Sequence, residues 1–308
     1  MSDETEKSAL INIGDLSGLS KPAVRLVERV SDALGGVFRP WQIRRVAEAQ
    51  ADAAVSKAQA TADAAKVKAL AKMELESELE ERALRRVLAQ EVKRQANIES
   101  IVVEAAQSIA SDANPEAIDD DWMELFLDRS KLVGNQEMQR VWARLLAGEA
   151  NKPGQFSRRT LEIVATMSKQ DAELFVALCG LTDRAFLGGT PFVFEPDSPA
   201  TTALGLGSLN LGHLESFGLI RLLDLTQWQW RASVTGPAPG NATTFLFGKT
   251  LQLVNPTDCE FVFDLGRVSL TRYGKELLAI TEAPPPPTDI VDTVVARLRS
   301  KGYTVTVT

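Results

Sequence analysis

Apolar residues recur at spacings of three and four up to Leu181, and short alternating runs take over beyond it. The first spacing predicts helices, the second strands. Over 21–45, Val24, Val27, Val30, Leu34, Val37 (or Phe38) and Trp41 share one apolar face. Lys21, Arg25 and Arg29 lie opposite, with Arg39, Arg44 and Arg45 just beyond. Gly35-Gly36 and Pro40 bend or end this helix. Two readings fit: a surface helix meeting a membrane or partner through Val24, Val27, Leu34, Phe38 and Trp41, or a short helix packed on the protein's own core.

Residues 42–110 contain no proline or glycine. The pattern predicts one long helix, about 90 Å if some 60 residues run unbroken at about 1.5 Å each. Its first half carries a seam of Ala47, Ala51, Ala54, Ala58, Ala62, Ala65, Ala69 and Met73. Alanines let helices approach closely but bury little area each, so the seam predicts lateral packing on another helix, the same helix of a second copy above all. From Leu84 onward come Val87, Leu88, Val92, Ile98, Ile101 and Val102, and this half is expected to pack on the globular body.

SDANP at 111–115 reads as a turn, and Asp119-Asp120-Asp121 starts the next helix as dipole-complementing caps rather than as a metal site. Met138, Val141, Trp142, Leu145 and Leu146 stripe a helix from Gln136. GEANKPG is a turn, 156–167 a further helix, and Ser168 with Asp171 the capping-box start of another. Trp142, Leu145, Leu146 and Leu161 are expected to form a hub joining the long helix to the strand-rich module beyond Leu181. Arg158 and Arg159 exceed packing needs; they either bind an acidic partner or pair with the acidic residues of 119–124, and pairing is the preferred reading.

After Leu181, prolines mark a loop-rich passage, 208–217 is a short helix ended by Gly218, and 219–225, 228–234, 243–254 and 260–268 read as strands. Thr271 caps a closing helix. This is the order of a winged-helix-like module with an enlarged wing. Pro284–Pro287 is a stiff spacer before a helix and an alternating strand able to join a sheet edge, in cis or in a partner. The expected fold is therefore mainly α with a smaller α+β part. Its divisions are 1–45 leader and basic helix, 46–115 alanine-rich helix, 116–181 hub, 182–283 winged-helix-like module, and 284–308 linker and tail.

The chemistry is sparse. A net charge of −7 argues against general nucleic-acid binding. The two cysteines, Cys179 and Cys259, stand in no metal spacing and suit a reducing cytoplasm. A polar N-terminus without an apolar core, and the absence of an 18-residue apolar run, predict a cytoplasmic protein, at most peripheral to a membrane. His213 is the single histidine, and no phosphate loop or metalloprotease motif occurs. The expectation is no catalysis, no cofactor and no metal. A recognition helix for DNA carries cations or amides toward the groove, whereas SLNLGHLESF has no Arg or Lys. Residues 168–283 hold eight basic against twelve acidic side chains, so a DNA-binding regulator is the weaker reading and a protein partner the stronger.

NQEMQRVWARLLAGEA followed by SRRTLEIVATMSKQDAELF resembles bacterial proteins of unknown function related to the abortive-infection alpha group. Those proteins show a leucine-glutamine-x-x-tryptophan-alanine-x-leucine-leucine-alanine helix and then a leucine-serine-x-x-aspartate-alanine helix start. Met138 and Met167 stand here where the family has leucine. GLIRLLD, VSLTRYGKELL and KPAVRLVERVSDALGGVFRPWQIRR are similar to the family's closing strand, closing helix and N-terminal segment, so the likeness spans 21–45 and 120–282. The resemblance implies phage defence by abortive infection, through assembly or partner binding. The expected function is accordingly a non-enzymatic assembly, scaffold or sensor protein that forms homo-oligomers.

Overall fold

The structure is a computed structural model in which residues 19–35, 78–183, 190–191, 193, 197–223 and 228–308 are described. Helices dominate, accompanied by small antiparallel sheets. The chain divides into two compact units, Met1–Arg158 and Arg159–Thr308. The expected 116–181 hub straddles that division.

The first unit is helical. Helix α1 (Lys21–Ala33) starts where Ser20 Oγ accepts the Ala23 N–H, with Pro22 in its first turn. Its inner face, Ala23, Leu26, Val27 and Val30, is buried. It packs on α2 (Glu78–Gln107), on a 3-10 turn (Pro115–Ala117) and on α3 (Asp120–Ser130). Val24 and Leu34 are half-buried. The described part of this apolar face thus serves the unit's own core; Phe38 and Trp41 lie outside the described residues.

Helix α2 behaves differently along its length. From Asn97 its inner side is buried through Ile98, Ile101, Val102, Ala105 and Ala106. Upstream, Leu84, Val87, Leu88 and Val92 are 54%, 47%, 56% and 71% exposed. The expectation that packing begins at Leu84 is corrected: it begins at Asn97. Spacing identifies which side of a helix is apolar, not how far its neighbours extend along it. The alanine positions 47–69 and Met73 lie outside the described residues.

Asp119 Oδ1 accepts the Trp122 N–H at 2.9 Å to open α3, and Asn135 Oδ1 accepts the Met138 N–H at 3.1 Å to open α4 (Gln136–Asn151). Trp122 stacks on Phe126 at 5.3 Å, and Phe126 meets Trp142 edge-on at 5.3 Å. Trp142, Leu145 and Leu146 are wholly buried in this unit, whereas Leu161, their expected companion, is wholly buried in the other.

In the second unit, α5 (Arg158–Thr166) and α6 (Lys169–Gly180) are followed by β1 (Thr182–Asp183) and β2 (Thr190–Pro191), which pair antiparallel. Two short helices follow, α7 (Pro199–Ala203) and α8 (Ser208–Ser216). The next six strands nest. β3 (Ile220–Leu222) pairs with β8 (Val268–Leu270), β4 (Trp228–Ser233) with β7 (Glu260–Gly266), and β5 (Gly240–Leu246) with β6 (Lys249–Asn255). The run 243–254, expected as one strand, is therefore a hairpin. Phe247 and Gly248 turn it, with φ of 47° and 78°. Both values lie in the left-handed region that a two-residue hairpin turn requires, and phenylalanine gives no sequence signal for it. The Asp183 carboxylate accepts the Phe247 N–H at 2.5 Å and helps hold this turn.

Helix α9 (Arg272–Leu278) approaches the chain before β3 so closely that a Cβ on Gly274 would lie 2.1 Å from the Leu219 carbonyl oxygen. The proline segment is anchored, since a Cβ on Gly180 would lie 2.9 Å from Pro284 Cγ. α10 (Ile290–Ser300) buries Ile290, Val294, Val295 and Leu298, and β9 (Thr304–Val307) pairs with β6. The tail is thus part of the second unit, and its strand is added in cis.

Candidate functional site

No group of three or more His, Cys, Asp or Glu among the described residues could hold a metal ion. No described helix is long and apolar enough to cross a membrane. The structure offers surfaces, and the polar networks that position them.

In the first unit the basic side of α1 meets acidic neighbours. Arg25 Nε lies 3.7 Å from Glu116, and Arg29 pairs with Asp120 while donating to the Ile118 carbonyl at 3.1 Å. Arg158 Nη1 reaches Asp121 at 3.0 Å. The three consecutive aspartates therefore divide their work: Asp119 caps α3, and Asp120 and Asp121 take arginines. Pairing is what the structure has for Arg158; Arg159 is exposed. These pairs are largely solvated and worth little each in stability, but they place carboxylates beside the cations that an anionic surface would need.

A buried polar network fixes α2 against α4. Gln139 Nε2 donates to the Val133 carbonyl at 2.8 Å and to Asn97 Oδ1 at 3.3 Å, and its Oε1 accepts from Ser100 Oγ at 3.1 Å. Asn97 Nδ2 donates to the Lys131 carbonyl at 2.9 Å. The nitrogen and the oxygen of the buried Gln139 amide are thus both engaged, which sets the rotation of α2 about its own axis. That rotation decides where Leu84, Val87, Leu88 and Val92 stand. At about 100° per residue, 84, 87 and 88 fall on the same side as 98, 102 and 105. The exposed stripe is thus the uncovered continuation of the buried side. The same three-and-four spacing in the sequence shows the stripe but not its exposure.

In the second unit the outward side of α8 is the feature with least structural duty. Leu209 is 91% exposed. The N-terminus of α8 is already filled: Asp197 accepts the Ser208 N–H at 2.8 Å and the Ser208 hydroxyl at 2.5 Å. These two bonds hold the Asp197 carboxyl below its ordinary value. A carboxylate at that position opposes a phosphate there. Glu215 accepts the Leu222 N–H at 2.7 Å and so joins α8 to β3. His213 Nε2 lies 2.7 Å from Asp171 Oδ1, and its ring meets Phe217 edge-on at 5.0 Å. The histidine joins α8 to the capping box of α6.

Sequence reasoning missed Asp197 and Leu209 as determinants of this surface. Asp197 sits in the passage read as loop, eleven residues before the backbone it caps, where no local pattern signals it.

A family model described as a protein of unknown function (DUF2806) matches residues 81–188. The match covers most of α2 and runs through β1; the alanine seam, α8, the nested strands and the tail fall outside it. No curated protein and no solved structure is significantly similar to the chain.

Proposed function

We propose that this protein acts by assembly rather than by chemistry: a non-enzymatic scaffold or sensor that self-associates through its long helix and offers its second unit to a protein partner. The observation that carries the proposal is the stripe of Leu84, Val87, Leu88 and Val92 on α2, exposed over about two and a half helical turns. A contiguous apolar stripe with charged flanks marks an interaction surface. The alanine positions 47–69 lie upstream of it in sequence.

The nested strands following α8 support reading the second unit as winged-helix-like with an enlarged wing. Its α8 surface favours a protein partner over DNA, because it shows Leu209 outward, carries no Arg or Lys, and holds Asp197 at its N-terminus. Antiphage defence of the abortive-infection kind is the setting the family resemblance suggests.

Two measurements test the proposal. Electrophoretic mobility with duplex DNA at low ionic strength is expected to show no shift, since backbone attraction is strongest there; a salt-sensitive complex would favour the DNA-regulator reading instead. Phage challenge of bacteria expressing the chain is expected to lower plaque counts with the native sequence but not with Leu84→Glu/Leu88→Glu. Equal plaque counts with the empty vector would remove the defence setting.

A further inference from the structure

We infer that the α2 stripe pairs with the same stripe of a second copy, and that the two helices run antiparallel. The inference rests on self-association as proposed above and specifies its contact and orientation. Three observations select this occupant.

The stripe prolongs a side of α2 that already packs helix against helix. Ile98, Val102 and Ala105 are buried on it, and Leu84, Val87 and Leu88 continue it at helical spacing. A ridge of this spacing fits the groove of another helix. Leu84, Leu88 and Val92 are separated by four residues each, with Val87 between the first two, giving side chains at the ridge spacing one helix presents to another.

The charge sequence then chooses direction. α2 opens with Glu78, Glu80 and Glu81 and continues with Arg82, Arg85, Arg86, Lys93 and Arg94, interrupted by Glu91. In a parallel pair each block would face its own kind. In an antiparallel pair centred near Arg86, positions 78–81 of one helix lie opposite 91–94 of the other, which carry Lys93 and Arg94, while Leu84, Val87 and Leu88 meet their counterparts about the two-fold axis.

The third observation is the buried network of Asn97, Ser100 and Gln139, which holds α2 in one rotation relative to α4. The stripe is therefore presented in a fixed direction, which lowers the ordering cost of docking.

Spin labels on the full chain test this. The labels are attached at Gln90→Cys in one sample and Ser108→Cys in another, both in a Cys259→Ser background. Both label positions are exposed, and Cys179 is buried. The antiparallel pair predicts a distance below about 30 Å between the Gln90 labels and about 65 Å between the Ser108 labels, from about 1.5 Å of rise per residue on each side of the axis. Short distances at both positions mean a parallel pair and overturn the orientation while leaving self-association intact. An oligomer by light scattering that Leu88→Glu does not weaken overturns the stripe as the contact, again without overturning assembly. A monomeric mass at every concentration, with no dipolar signal, overturns the inference and the self-association reading together; that is the result expected if residues 36–77 of the same chain cover the stripe instead.

Discussion

Asp171 holds His213 and Ser168 at once: Oδ1 lies 2.7 Å from His213 Nε2, while Oδ2 accepts the Ser168 N–H at 2.7 Å. One carboxylate thus starts α6 and fixes α8 beside it. Burial alone would raise its pKa, but the Ser168 bonds and His213 outweigh that and hold it below the ordinary 3.8. A carboxyl depressed in this way adds stability that is complete above the unfolded pKa and is lost as pH falls through the folded value. Urea denaturation of the native protein from neutral pH to below 3.8 is therefore expected to show a fall in midpoint that Asp171→Asn flattens. An unchanged acid slope in that variant would remove Asp171 from the acid response. Asp264 behaves in the same direction: burial opposes, and Lys301 Nζ at 2.6 Å and Gln229 at 2.9 Å prevail.

Gln139→Leu keeps the size of the side chain but leaves the Val133 carbonyl and the Asn97 and Ser100 side chains without their partner. The expected loss is about 1–3 kcal/mol of stability, typical of orphaning buried polar groups. Denaturant midpoints of Gln139→Leu, Asn97→Ala and the double variant check it. Because the two residues share one network, the double variant is expected to lose less than the sum of the singles.

Glu149 is 1% exposed, and its carboxylate accepts the Gly154 N–H at 2.6 Å and the Phe156 N–H at 2.9 Å. It closes the loop after α4 from inside. Glu149→Ala is expected to cost about 2 kcal/mol and to raise amide exchange first at Gly154 and Phe156. Uniform acceleration across the unit, without a lead at those two amides, would contradict a local role.

Gly274→Ala is expected to be among the most damaging single-methyl changes in the second unit. Its new carbon would press on the Leu219 carbonyl oxygen, which is backbone and cannot rotate away. The expected cost is at least about 3 kcal/mol, measured as a lowered thermal midpoint. A midpoint within a degree or two of the native protein would mean that α9 can slide away from the β3 side.

Much of this architecture was legible because local chemistry and the fold agree. Ser168 with Asp171, Asp119 and Thr271 all cap the helices their spacing announces. The alternation of the tail foretold a strand that joins a sheet edge. The features that stayed hidden depend on distance along the chain. Phe247 sits in a left-handed turn, its N–H held by Asp183, sixty-four residues away. Gln139 is a plain amide on a helix until Asn97 and the Val133 carbonyl are brought to it. Leu84 and Ile98 read alike in sequence, and only tertiary packing separates the exposed residue from the buried one.

Sedimentation equilibrium over a concentration series tests association through the exposed side of α2 most directly. Self-association predicts a native mass at a multiple of 33.5 kDa, and a return to the single-chain mass in Leu84→Glu/Leu88→Glu at unchanged helical content. A native protein that sediments as a single 33.5 kDa chain at every concentration would contradict it.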